Sequence, residues 1–406
     1  MASPAPGEIG YVFDPYSIDF AIDPYPTYRW MREEAPVYHQ PEMDFWMLTR
    51  YEDVCKAHQD AALFSSSAGP KIERMDYAST LLIGKDAPDH IWAKGMMTRV
   101  FSRARMGALD GFIREKTIEL LEGCFERYGP DGEFDVVKEF TVPLPLTVIS
   151  ELLGIPEEYR QEIHELSNAY VSREAGSETS AQGDAHTKLW KIYFALTQKR
   201  REEPKDDPIS LLIALEETDD QGVVHRMSDQ EIAFRFLEMG FAGHETVAKA
   251  IPNGLMALSR FPDQRAKFTA DLSLAPQLVQ EMLRYDPPSQ LQGRLTMREV
   301  TLHGVTIPAD SRVMLATAAA TRDPRAFSDP DRFDIERDND KRTISFGFGV
   351  HKCLGIHLAQ AELAIAFTEL TSRFPDWQVD PNRATRVALS NVRGVSSLPM
   401  RLGKRA

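Results

Sequence analysis

Phe346-Gly347-Phe348-Gly349-Val350-His351-Lys352-Cys353-Leu354-Gly355 sets a single cysteine in a glycine-rich loop at the mouth of a helix. The helix reads from Leu354 to about Phe374, where Pro375 ends it. A thiol at that point feels the positive end of the helix dipole and meets unpaired backbone N–H groups, both of which favour the thiolate. Glycines 347, 349 and 355 let the backbone approach something flat and large without Cβ collisions. These conditions suit an axial thiolate on a haem iron.

Other chemistries compete for the same residues. A lone cysteine is ordinarily an inert small hydrophobe. A phosphate cradle of the G-x-G-x-x-G kind requires a third glycine where Lys352 stands, and the P-loop spacing is absent. His351, Cys353 and His357 could begin a zinc site, although no second cysteine pair lies nearby to complete it. Taken whole, the loop matches F-x-x-G-x-x-x-C-x-G, with an added G-x-H. On these residues the chain resembles the cytochrome P-450 superfamily, in particular its soluble bacterial haem-thiolate monooxygenases. The resemblance spans nearly all of the sequence, from Asp23-Pro24-Tyr25-Pro26 to about Leu398-Pro399.

The chain has 406 residues, of which 43% are hydrophobic, enough for a sizeable core. It contains no apolar run of transmembrane length, and the first residues lack the basic and apolar parts of a signal peptide, so a cytoplasmic protein without membrane attachment is expected. Cys55, Cys124 and Cys353 are odd in number and far apart, which implies no disulfide framework. A net charge of −14 argues against nucleic acid as a partner.

Short alternating stretches in the first ~60 residues, notably Phe45-Trp46-Met47-Leu48-Thr49, read as strands. From Pro88 to Asp286 the pattern is mostly helical; Pro287-Pro288 ends it, and strands with turn punctuation follow. Two polar interruptions stand out: residues 172–183, a candidate lid, and Asp219-Asp220-Gln221-Gly222, a turn. The expected fold class is mainly α with small β regions. In the terms of the resemblance it is the P-450 fold, a triangular prism with a long central helix over haem. One domain, 1–406, is expected, with a helix-rich region at about 88–286, β-rich segments at about 30–50 and 290–320, and the haem-thiolate loop at 346–355.

Ser228-Asp229-Gln230-Glu231 is a capping-box pattern opening a helix that could run to Ser259, about 32 residues or roughly 48 Å. Pro252 predicts a kink or break near Ile251. The middle of this helix, Gly240-Phe241-Ala242-Gly243-His244-Glu245-Thr246, is rich in small residues on which a ligand could lie. His244-Glu245 begins a zincin H-E-x-x-H, but Ala248 stands where the second histidine belongs. The resemblance makes this segment A-G-x-[DE]-T: Ala242 and Gly243 would border the haem, Thr246 would steady the oxygen and its waters, and Glu245 would relay protons.

By the same resemblance, Glu281-x-x-Arg284 and Pro330-Asp331-Arg332-Phe333 imply a buried Glu281–Arg284–Arg332 cluster behind the cysteine loop. The haem carboxylates would meet His90, Lys94, Arg294 and His351, with Phe346, Gly347 and Gly355 lining the loop side. Lys94 departs from the arginine usual there, keeping the charge but losing the fork. Family topology places the Ile72–Ile83 loop with Ile83, the 172–183 lid, the Glu238–Thr246 face, Ser289–Gln292 with Gln290 and Gln292, and Val395-Ser396 around the substrate. Positions 238, 242 and 246 share an arc of about 80° on one helix face. Glu238 there would meet a substrate hydroxyl or amine, or pair with Arg235.

Together these readings imply a monomeric monooxygenase with haem b (iron protoporphyrin IX). It would insert one oxygen atom from O2 by hydroxylation or epoxidation of a lipophilic polyketide, terpenoid, steroid or fatty-acid-like molecule. No flavin or nicotinamide fingerprint is present, so electrons from NAD(P)H would arrive through ferredoxin reductase and ferredoxin. Arg99, Arg103 and Arg105, with Lys341, Arg342 and Lys352, would form the docking patch. The rival readings are a noncatalytic haem sensor and a haem-free metalloprotein.

Overall fold

The computed structural model describes residues 7, 11–171, 180–338, 343–387 and 391–406. Eight helices position the site: α1 Tyr25–Glu34, α2 Tyr51–Gln59, α3 Asp89–Val100, α4 Pro143–Leu152, α5 Ser180–Glu202, α6 Asp229–Arg260, α7 Ala275–Tyr285 and α8 Ile356–Arg373. Five strands form the main sheet: β1 Val37–Gln40, β2 Phe45–Leu48, β3 Phe64–Ser65, β4 Leu291–Thr296 and β5 Arg312–Ala316. The N-terminal region, expected to be strand-like, is therefore mixed: α1 and α2 flank the β1–β2 hairpin. Their apolar positions recur at helical spacing, with Thr27, Tyr28, Met31 and Arg32 of α1 on its buried face. Among the described residues no helix is long and apolar enough to cross a membrane.

In the sheet the order is β1-β2-β5-β4-β3. Strand β5 runs parallel to β2 and antiparallel to β4, with Val313 opposite Arg294. Alternation then divides β5 between two cores: Met314 joins a cluster with Phe13, Tyr28 and Phe45, whereas Val313 and Leu315 join one with Val37, Leu48 and Val54. The same period of two puts Gln292 and Arg294 of β4 on one side.

Helix α6 spans 32 residues and packs against α4, α5, α7 and α8 within the largest core. It starts as the sequence predicts: the Ser228 hydroxyl accepts from Glu231 N at 3.2 Å, and the Glu231 carboxylate accepts from Ser228 N at 3.0 Å. Of the kink or break expected near Ile251, the break does not occur. Proline removes the N–H that would bond the carbonyl of Ala248, four residues back. The buried Thr141 hydroxyl takes that acceptor instead, at 3.1 Å, and the helix continues.

The buried ionic cluster differs in one member from the expected set. Arg284 holds Glu281 with two hydrogen bonds of 2.7 and 2.8 Å, and both side chains have 0% exposure. The third side chain is Arg337, whose Nε donates to Glu281 Oε1 at 3.3 Å. Arg332 supplies only its backbone carbonyl, to Arg284 at 3.0 Å, while its guanidinium is 53% exposed near Asp263. Arg332 closes a turn in which its N–H donates to Asp329 O at 3.2 Å and its side chain is left outward, and the next arginine in the loop, Arg337, reaches the buried carboxylate. From the same helix, the Leu283 carbonyl accepts from Ser345 Oγ at 2.6 Å, tying α7 to the start of the cysteine loop.

Candidate active site

The cysteine loop closes on itself through Cys353 N, which donates to Phe346 O at 2.8 Å. Gly349, at φ +72°, crosses the end of α2 so closely that a Cβ there would lie 2.5 Å from His58 O. Cys353 then faces a cavity whose opposite wall is the middle of α6. Its thiol is not poised as the helix-terminus argument alone suggested. Burial pushes it up, against the Gly355 N–H and the Lys94 ammonium, which pull it down. The dipole and donors offset part of the desolvation cost; a coordinated cation would have to supply the rest.

Glu238, Ala242, Gly243 and Thr246 of α6 line the cavity. The Thr246 hydroxyl donates to Ala242 O at 3.2 Å, one turn back on the same face. Of the two glycines expected to admit a ligand, Gly240 faces α5, where an added Cβ would be 2.9 Å from the Tyr193 hydroxyl. Gly243 borders the cavity, but its missing Cβ makes room for Ile149 of α4, 2.5 Å away. Close helix packing thus accounts for both. His244 points into protein, its Nδ1 2.7 Å from Gly240 O. Glu245 is half-buried one turn before Lys249; burial lowers the Lys249 ammonium and the Glu245 charge raises it.

At the cavity's other end, Arg294, His90, Lys94, His351 and His58 gather. The His90 and His351 rings are 4.0 Å apart. Burial, with neighbouring positive charge, lowers His90 to about 4 and His351 to about 2. Arg294 is 4% exposed and pushed down by burial to about 10, and among the described residues no carboxylate forms an ion pair with it. His58, which sequence reasoning missed, sits with Nδ1 3.4 Å from the Arg294 guanidinium, and its buried Nε2 has no hydrogen-bond partner among the described residues. Each of these shifts has desolvation by burial as its largest cause, opposed at His90 and Arg294 by the charge of Asp86. An apolar cavity with a sulfur donor and one cationic end fits a porphyrin with its carboxylates at one edge.

Lys94 lines the cavity but is already engaged with the cysteine loop, and two further expected contacts, Gln290 and Val395, lie elsewhere. The Lys94 ammonium donates to Val350 O and, at 2.8 Å, to Lys352 O, so it clamps the cysteine loop from α3. A compact ammonium can cap two carbonyls that converge on it, where a planar fork would reach past them. Gln290 is turned into the core, donating to Pro287 O at 2.6 Å and accepting from Tyr28. Val395 is fully buried, and its carbonyl accepts from Lys249 at 3.0 Å. Ile83, Gln292, Phe346, Gly347 and Gly355 do border the cavity. The 172–183 segment lies outside the described residues up to Thr179, as do Lys341 and Arg342.

Sequence reasoning also missed Glu362. It is 1% exposed, lines the cavity from α8, and among the described residues has no hydrogen-bond partner for either carboxyl oxygen. Burial raises its acid well above the usual range, disfavouring the carboxylate. The signal was present: Glu362 follows Leu358 by four residues on the buried face of α8. Ser66 and Asp86 complete the cationic end, Ser66 Oγ lying 3.1 Å from His351 Nε2 and Asp86 accepting from Ser66 N at 2.9 Å.

Among the described residues no three His, Cys, Asp or Glu side chains converge on a metal position, which removes the zinc reading of His351, Cys353 and His357. The fold and site define a haem-thiolate oxidoreductase. The cytochrome P450 family model matches residues 157–401, and the chain belongs to that family of monooxygenases. It is 36% identical over 402 residues to the putative cytochrome P450 123 of Mycobacterium tuberculosis, covering 97% of this chain and 98% of that protein. It is likewise 36% identical over 404 residues to the vitamin D(3) 25-hydroxylase of Pseudonocardia autotrophica, covering 97% of each. In structure it resembles the cytochrome P450 CYP109Q5 of Chondromyces apiculatus, with a TM-score of 0.87 at 30% identity over 97% of this chain and 98% of the other.

Proposed function

We propose that the chain hydroxylates or epoxidises a lipophilic, ring-containing small molecule, with electrons passing from NAD(P)H through ferredoxin reductase and ferredoxin. One oxygen atom of O2 enters the substrate and the other leaves as water, consuming two electrons and two protons. The observation that carries this reading is the cavity itself: Cys353 faces Ala242 and Thr246 across a lining dominated by Leu82, Met97, Val247 and other apolar side chains. The vitamin D(3) 25-hydroxylase, an enzyme named for an apolar substrate, supports the substrate class.

Haem, when bound, supplies a thiolate-backed iron at which O–O cleavage is favoured. Cys353 would ligate it, while Arg294, His90 and His351 would hold its carboxylates. Thr246 would donate its hydroxyl hydrogen into the cavity in place of its 3.2 Å bond to Ala242 O. Glu245, beside Lys249, would pass protons from the outer side of α6. Thr246→Val keeps the side-chain volume and removes that donor. Product formed per NAD(P)H should fall about tenfold, the rate equivalent of one hydrogen bond of ~1.4 kcal/mol, with a matching rise in peroxide. Vitamin D(3) is the first substrate to try. Unchanged coupling in the variant would remove Thr246 from the proton path.

The electron-delivery surface we propose centres on Arg103 and Lys352. Arg99 of the same patch is paired with Glu217 at 2.6 Å, and Arg105 is half-buried. Burial lowers His357, and the charges of Arg103 and Lys352 lower it further; Phe348 and Val350 are exposed near Lys352 at 38% and 50%. Arg103→Glu with Lys352→Glu should slow reduction by ferredoxin at low salt by about tenfold and flatten its salt dependence. Reduction by dithionite should not change. Identical ferredoxin kinetics in wild type and variant would place the docking surface elsewhere.

A further inference from the structure

Two side chains of α6 hold a wall of the cavity in place. The Glu238 carboxylate accepts from Leu82 N at 2.7 Å through Oε2 and from Ile83 N at 2.9 Å through Oε1. Arg235, three residues earlier on the same helix face and 1% exposed, donates to Glu238 Oε2 at 3.2 Å and to Thr80 O. Residues 82–84 form a single 3-10 turn whose leading N–H groups have no partners within the turn, and the carboxylate supplies them. Leu82 and Ile83 both line the cavity.

We propose that Arg235 and Glu238 are a positioning pair that latches residues 80–83 to α6 and so sets the shape of the substrate pocket. Both carboxylate oxygens are engaged, Oε2 by two donors and Oε1 by one, so a substrate amine or hydroxyl would find at most the second lone pair of Oε1. The pocket then discriminates by shape, through where the latch fixes Leu82 and Ile83, rather than by charge. Displacing the carboxylate would also strand the buried Arg235 guanidinium, which makes the latched arrangement the favoured one.

Only the ligand arm of the test rests on the haem reading. Holoenzyme carrying E238L or E238Q is compared with wild type by hydrogen–deuterium exchange over residues 78–85. The same samples are titrated with 4-phenylimidazole and with histamine, an uncharged and a cationic imidazole, read by the Soret shift. Exchange should accelerate at least about tenfold in E238L and less in E238Q, whose amide oxygen keeps one acceptor. The affinities for the two probes should change together, by at least about threefold. Unchanged exchange overturns the latch. Selective loss of histamine binding overturns it as well, because it would show Glu238 free to meet a ligand cation. E238Q, which retains the side-chain shape, carries the same comparison should E238L fail to accumulate. Wild-type protein that shows no Soret band would defeat the haem reading, while the exchange arm still decides the latch.

Discussion

Cys353→Ser is expected to abolish the strongly red-shifted Soret band of the reduced, carbon monoxide-bound protein and to lower monooxygenase activity below about one per cent, a cost of at least ~2.7 kcal/mol. Serine preserves the volume of the side chain and the backbone bond from residue 353 to Phe346 O, so the loop should keep its form. What disappears is the only thiol on the cavity wall among the described residues; the other described cysteines, Cys55 and Cys124, do not line it. Circular dichroism should therefore be unchanged while the absorption spectrum is not. A variant that keeps the red-shifted band would place the ligand elsewhere. Wild-type protein from haem-replete cells with no haem band would remove the oxygenase reading itself.

Glu281→Gln should cost roughly 3–5 kcal/mol, because it leaves the fully buried Arg284 guanidinium without its counter-charge. Urea unfolding would show this as an earlier midpoint. The loss should extend to the site, since α7 is tied by the Leu283 carbonyl to Ser345 at the head of the cysteine loop. The contrast between two arginines makes the assignment sharp. Arg337→Ala removes a donor to Glu281 and should cost about 1–3 kcal/mol, whereas Arg332→Ala, half-exposed, should stay within about 0.5 kcal/mol. Equal costs at 332 and 337 would contradict the observed cluster.

The same pair of arginines shows where the sequence stops speaking. Glu281 and Arg284 are legible together because one turn of helix puts them side by side. Whether the third cation is at 332 or 337 depends on which way an irregular loop turns, and no local periodicity encodes that. Glu238 repeats the lesson. Its place on the face of Ala242 and Thr246 follows from 100° per residue, but its partners are amides about 155 residues earlier in the chain. His58 and Val395 were assigned late or wrongly for a like reason: one reaches Arg294 across 236 residues, and the other turns inward where its strand meets Lys249.

By itself the sequence determined what short-range physics controls. It specified a glycine loop delivering Cys353 to a helix, a capped 32-residue helix carrying Ala242 to Thr246, and Glu281 and Arg284 side by side on one helix face. Capping, helical periodicity and the conformational freedom of glycine all act within a few residues, so they can be read from adjacent letters. The tertiary structure alone decided that Thr141 rescues the carbonyl freed by Pro252, and that Lys94 clamps the loop. It also decided that Gly240 and Gly243 serve neighbouring helices and that Glu238 holds Leu82 and Ile83. Each of those outcomes is the satisfaction of a buried polar group or the filling of a gap by a distant segment. Which segment arrives is settled only when the whole core packs, since the desolvation cost falls on whichever group is left without a partner.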